Sequence, residues 1–184
     1  MIVYPANNSN SHVLSMVFPN SLGVLFSPSG RRDPKNLPWV LDNEMYTAWV
    51  KSRYSNNLEA LRKNWDCAAW KRSIVWAKNQ MTAPKFIVVP DAPGNSENTL
   101  SEFKRWRPYL DETGYVLAIA VQDGMAPEDV PPGVVCFLGG TTDWKWKNLE
   151  RFCDGCERVH VGRVNTYSKL WACHDAGAES CDGS

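Results

Sequence analysis

Residues 85–94 read KFIVVPDAPG, an apolar, β-branched run that stops on an aspartate, Asp91, between two prolines and ahead of a glycine. An uninterrupted run of this kind reads as a strand buried on both faces, the usual state of a strand in a parallel sheet. Taken alone, Asp91 is ordinary turn chemistry, because Asp, Pro and Gly all favour loops. The same arrangement recurs along the chain, however, and the recurrence decides the fold.

Strand-like runs occupy 24–30, 38–44, 85–91, 115–124, 134–140, 158–165 and 178–184, and helical patterns fall between them. Leu58, Leu61, Trp65, Ala68, Ala69, Val75 and Trp76 recur at helical spacing and predict one helix over 58–80. Thr99 and Glu102 form a capping-box pattern that opens a second helix. Asp143 is placed to cap a third running to Phe152, and a fourth spans Tyr167 to Asp175. Strands alternating with helices imply a parallel sheet with right-handed crossovers. An open doubly wound sheet and a closed barrel both satisfy that pattern, and the strand ends separate them. They carry Asp42, Asp91, Gln122, Gly139–Gly140, Asn165 and Asp182. Groups contributed in turn by many strand ends are the mark of a barrel mouth. The expectation is therefore an α/β fold of the (β/α)8 TIM type. Seven strands are identified; the eighth comes from Ile2–Tyr4, from another chain, or is missing. No repeat or linker divides the sequence, so residues 1–184 form one domain, with 1–20 set apart as an N-terminal extension.

Composition bounds the function. Apolar residues make up 43% and charged residues 22%, as in an ordinary soluble globular protein. Twenty Lys and Arg balance twenty Asp and Glu, so the whole molecule exerts no net pull on a polyanion. Locally the balance differs, with seven basic and two acidic residues over 51–80, against three basic and eight acidic over 90–130. Such asymmetry permits a phosphate-binding face, although a solvated helix face is the favoured explanation of the basic stretch. No apolar run reaches membrane-spanning length, and MIVYPANNSNS lacks the basic start and apolar core of a signal peptide, so a cytoplasmic protein is expected. The six cysteines include one CxxC pair, Cys153 and Cys156, with no second pair to complete a tetrahedral zinc site. Free thiols, no metal and no cofactor are the expectation.

Six short pieces at the strand ends resemble the tRNA-guanine transglycosylase superfamily: Leu41-Asp42-Asn43, Val89-Pro90-Asp91, Ala120-Val121-Gln122, Leu138-Gly139-Gly140-Thr141, His160 to Asn165, and Ser180-Cys181-Asp182-Gly183. Each is weak alone; six in the right order span the chain from Val24 onward. The closer likeness is to the phage and bacterial branch that inserts 7-deazaguanine bases into DNA. The resemblance implies Asp182 as the nucleophile that attacks C1′ and Asp42 as the aspartate that manages the proton of the incoming base. It implies Asp91 as the carboxylate that reads the guanine edge, with Asn43, Gln122, Gly139 and Gly140 completing the base site. Arg163 and Asn165 become candidate nucleic-acid contacts. The implied partners are DNA, with tRNA as the alternative, and a 7-deazaguanine base; a homodimer is compatible, and a phage-encoded enzyme would work in the host cytoplasm. The tRNA enzymes carry a zinc site beyond the seventh strand, which this sequence does not reach, so DNA is the expected substrate. Where the family continues with glycine after Asp-Asn, this chain has Glu44, expected to narrow the pocket or shift its electrostatics.

The residue types suit the chemistry. Exchange of a base with retention needs a carboxylate that forms a glycosyl-enzyme and a second group that handles a proton. A target base must also leave its stack to reach such a pocket. Against this stand plainer readings. Gln122-Asp123-Gly124 is also a tight-turn sequence, Gly139–Gly140 also a strand-to-helix loop, and His160, inside an apolar run, reads as a satisfied core histidine. Trp144 and Trp146 would stack on a base or merely cover the barrel end. A non-catalytic partial barrel is the remaining alternative, resting on the missing eighth strand.

Overall fold

The computed structural model describes residues 1–7 and 9–183. Eight strands are present: β1 (Ile2–Pro5), β2 (Val24–Phe26), β3 (Trp39–Leu41), β4 (Ile87–Val88), β5 (Leu117–Val121), β6 (Val135–Leu138), β7 (Val159–Val161) and β8 (Ser180–Gly183). Every pairing is parallel, in the order β1-β8-β7-β6-β5-β4-β3-β2. Parallel bridges Val3–Leu22 and Ala6–Leu25 join β1 to the β2 side, with Gly23 N–H donating to the Val3 carbonyl at 2.9 Å. The ring is a (β/α)8 barrel.

The missing strand is thus β1. Residues set apart by sequence as an extension supply β1 and α1 (Ser9–Val17), apart from Asn8, which lies outside the described residues. Ser184, the last residue of the run read as a strand at 178–184, also lies outside them. The chain stays short because 27–38 joins β2 to β3 without a helix, and only a single 3-10 turn (Pro127–Asp129) lies between β5 and β6. The other crossovers are α2 (Met45–Lys51), α3 (Leu58–Asn64), α4 (Cys67–Lys78), α5 (Ser96–Asp111), α6 (Thr142–Gly155) and α7 (Tyr167–Asp175).

Three helix boundaries depart from the sequence expectation for identifiable reasons. The single helix over 58–80 breaks at Trp65, whose backbone is extended, and Asp66 caps the second half by accepting from Ala69 N–H at 2.8 Å. The break sends the Trp65 indole N–H to the Asn43 carbonyl at 2.8 Å, under the site. Helix α5 starts three residues before Thr99, capped by Asn95, because Thr99 instead bonds both the N–H and the carbonyl of Ala92. In α6 the cap position is Thr141, and Asp143 lies within the first turn.

Two apolar layers hold the barrel. Tyr4, Val40, Phe86, Val88, Ala118, Ala120 and Val135 fill its interior. A larger layer between strands and helices takes up most tryptophans, with Trp39 and Trp76 rings 5.2 Å apart and Trp70 and Trp106 also 5.2 Å apart. The high tryptophan count is therefore mainly packing. Among the described residues, no helix is long and apolar enough to cross a membrane.

Candidate active site

Barrel geometry brings the C-terminal ends of parallel strands to one mouth. There a cavity of about 420 Å³ is lined by Asp42, Asn43, Asp91, Gln122, Gly139, Gly140, Arg163 and Asp182, together with Tyr46, Trp49 and Tyr54. Its volume falls within the usual range for ligand sites, roughly 300–1,000 Å³. Of the strand-end residues that the resemblance assigns to the site, Asn165 alone is not brought into the lining; it is exposed past the end of β7.

Asp91 is buried and accepts from Asn43 Nδ2 at 2.9 Å on one oxygen and from Gln122 Nε2 at 3.0 Å on the other. Both amides are themselves fixed. Asn43 Nδ2 also donates to the Val89 carbonyl and Asn43 Oδ1 accepts from Met45 N–H, each at 2.8 Å. Gln122 Nε2 also donates to the Ala120 carbonyl at 3.1 Å, and its Oε1 accepts from Gly94 N–H at 3.0 Å. Gln122 therefore has both N–H bonds engaged by the protein and acts on the cavity through Asp91.

Asp182 is held differently. Its Oδ1 accepts from the Arg163 backbone N–H at 2.8 Å, and its Oδ2 lies 3.0 Å from His160 Nε2. Arg163 adopts a left-handed backbone, φ 58°, which turns that N–H toward the carboxylate. Its guanidinium donates to the Gly140 carbonyl and lies 5.0 Å above the Tyr46 ring. Buried Lys145 donates to the Gly162 carbonyl on the same turn, and burial lowers its pKa to about 8, with the Arg163 charge adding to the fall.

The Gly139–Gly140 loop is shaped by contact. Gly140 has φ 67°, and a Cβ there would lie 2.6 Å from Asp123 Oδ1 and from the Trp144 ring. Asp123 secures the loop by accepting from the Thr141 N–H and hydroxyl, both at 2.6 Å. Trp144 packs beneath this loop and against Phe152 rather than lining the cavity. Glu44 does not line the cavity, but its charge, the smallest of the causes that act on the Asp42 carboxyl, raises the pKa of that group. Its backbone is left-handed, φ 59°, and its carboxylate turns away to accept from the Ser29 N–H and hydroxyl.

Burial pushes the Asp42 carboxyl up to about 6, and the Asp182 charge adds to the rise against the opposing backbone N–H of Asn43. Burial likewise pushes Asp91 up to about 7; the Asn43 amide opposes this and the Asp42 charge reinforces it. These shifts carry a stability consequence. A carboxyl with a raised folded-state pKa binds its proton more tightly when folded, so its contribution is greatest at low pH. It declines as pH rises from the ordinary carboxylate value, about 4, through the folded value. Asp42→Asn cannot ionise. Its stability relative to the unsubstituted protein should rise by about 1–2 kcal/mol between about pH 4.5 and about pH 8. Thermal unfolding at the two pH values checks this, and a constant difference would refute the raised pKa.

Sequence reasoning missed the side-chain support of Asp182. His160 is indeed a buried, satisfied histidine, but one of its partners is Asp182 and the other Ser180, at 2.9 Å from Nδ1. The signal was present: β7 and β8 pair His160 with Ser180, and residues two apart on a strand share a face. Among the described residues, no group of three or more His, Cys, Asp or Glu is arranged to hold a metal ion, and all six cysteines are free thiols. No protein-family model matches this chain, and no curated protein matches it at a significant level.

Proposed function

We propose that the protein is a base-exchange transglycosylase that replaces guanine in DNA by a 7-deazaguanine derivative through a covalent aspartyl-glycosyl intermediate. The observation that carries this reading is the division among three carboxylates facing one cavity. Asp182 accepts the Arg163 N–H on one oxygen and meets His160 Nε2 with the other, whereas burial favours a retained proton on Asp42 and Asp91. Carboxylates with contrasting environments are how one site runs nucleophilic and proton-transfer chemistry together. The strand-end motifs support the same assignment, and the eighth strand supplied by β1 removes the basis for a non-catalytic partial barrel.

The chemistry follows from the placement. An unstacked guanine enters with its N–H edge toward Asp91 and its carbonyl toward Gly139–Gly140. Asp182 attacks C1′; the C1′–N9 bond breaks, its electron pair leaves with the base, and protonated Asp42 supplies the proton that neutralises the departing guanine. The incoming base then gives its N9 proton to Asp42. Its N9 attacks C1′, the C1′–O bond breaks, and Asp182 is released as the carboxylate with inversion at each step and retention overall.

The test is uptake of labelled guanine into guanine-containing single-stranded DNA, duplex DNA and unmodified tRNA, because guanine exchange needs no knowledge of the natural incoming base. Uptake into DNA, with an adduct band on a denaturing gel, is expected. Uptake into tRNA alone would transfer the assignment to the tRNA branch, and uptake into none would overturn the reading.

A further inference from the structure

His160 lies inside the barrel, fully buried among Tyr4, Phe86 and Phe137, with ring centroids 6.0, 5.1 and 4.6 Å away. An imidazole in such surroundings is costly unless both nitrogens are bonded, and both are. Nδ1 faces the Ser180 hydroxyl at 2.9 Å and Nε2 faces Asp182 Oδ2 at 3.0 Å. Serine, histidine and aspartate in a row invite comparison with a hydrolytic triad, but Ser180 is buried and does not line the cavity, whereas Asp182 does. The end of the row that meets a ligand is the carboxylate.

We propose that His160 is a positioning residue for Asp182, held by the Ser180 hydroxyl as the Nε2–H tautomer so that it donates to Oδ2. The inference rests on the assignment of Asp182 as nucleophile. An ionised carboxylate only accepts, so the neutral ring must present N–H to it and take a hydrogen from Ser180 at Nδ1. The Arg163 backbone N–H holds the other oxygen at 2.8 Å. One donor on each oxygen fixes the carboxylate plane and leaves each oxygen a lone pair toward the cavity. Its partners are on β7 and on the turn that follows it.

Two measurements test the proposal. The first needs no turnover: nitrogen NMR of the histidine-labelled protein should report His160 as the Nε2–H tautomer, and Ser180→Ala should disturb it. The Nδ1–H tautomer in the unsubstituted protein would overturn the proposal. The second is single-turnover adduct formation with a guanine-containing DNA oligonucleotide. His160→Phe fits the aromatic surroundings but has no donor, and should slow adduct formation about 100-fold, in line with loss of one preorganised donor, with KM little changed. His160→Gln restores an N–H and should recover at least about tenfold of the loss. An unchanged rate in folded His160→Phe, or no rescue by Gln, would refute the positioning role. Absence of any adduct in the unsubstituted protein would overturn the transglycosylase reading instead, and the tautomer result would still decide the role of His160.

Discussion

Asp182→Asn should fold, keep the shape of the cavity and form no covalent adduct. Its steady-state exchange should fall by about 10⁴-fold or more, since the residue itself makes the bond to C1′. Folding is expected because the substitution can be accommodated locally. The new amide must turn its NH₂ toward either the Arg163 N–H or His160. Facing His160, it can donate to Nε2 if the ring shifts its proton to Nδ1 and the Ser180 hydroxyl turns to accept. Both rearrangements are proton and rotor changes that need no backbone movement. The measurement is a denaturing gel of enzyme with guanine-containing oligonucleotide, alongside labelled-guanine exchange. A band that survives in Asp182→Asn but vanishes in Asp42→Asn would move the nucleophile to Asp42. The expected pattern for Asp42→Asn is different: a slower first step, because the leaving base lacks its proton, with adduct still detectable.

Much of this site was legible because parallel strands advertise themselves as apolar runs and their ends as polar breaks. Asp42, Asp91, Gln122 and Asp182 were found in that way, and the cavity joins residues 140 positions apart along the chain, from 42 to 182. What sequence alone did not reveal depends on pairing. β1 is only the four residues Ile2–Pro5, one of several open sources for the eighth strand, and what places it in the ring is its pairing with β8 and the bridges to the β2 side. Helix α2 opens on a left-handed Glu44 without a side-chain cap, which hides its start. The break at Trp65 was invisible to periodicity, because Trp65 continues the apolar face of Leu61; the hydrogen bond from its indole to Asn43 decides the matter. Backbone donors such as the Arg163 N–H have no sequence signature, and neither do the raised pKa values of Asp42 and Asp91. Both follow from burial, which only the closed ring imposes.

Replacement of Asp91 by Asn should be less forgiving than the same change at Asp182, and its main effect should be on base selection. Asn43 Nδ2 and Gln122 Nε2 point at the two Asp91 oxygens, so an amide there sets its NH₂ against one donor. Neither neighbour can rotate to relieve the clash. Turning Gln122 would break its bonds to Ala120 and Gly94, and turning Asn43 would break those to Val89 and Met45. The unmatched donor should lower stability by about 1–3 kcal/mol. Selectivity should fall further, because an ionised acceptor facing the N1–H and 2-amino edge is what distinguishes guanine from hypoxanthine. A site built around such a bond rejects the analogue lacking it by orders of magnitude. The ratio of kcat/KM for labelled guanine over hypoxanthine should therefore drop at least about 100-fold in Asp91→Asn. The pH dependence gives an independent sign. With its pKa pushed up to about 7, Asp91 gains its charge only as pH rises through that value. KM for guanine in the unsubstituted enzyme should fall from about pH 6 to about pH 8 as the acceptor ionises, and Asp91→Asn should lose that dependence. A guanine preference and a KM profile that both survive the substitution would remove Asp91 from base recognition and leave it a structural brace between Asn43 and Gln122.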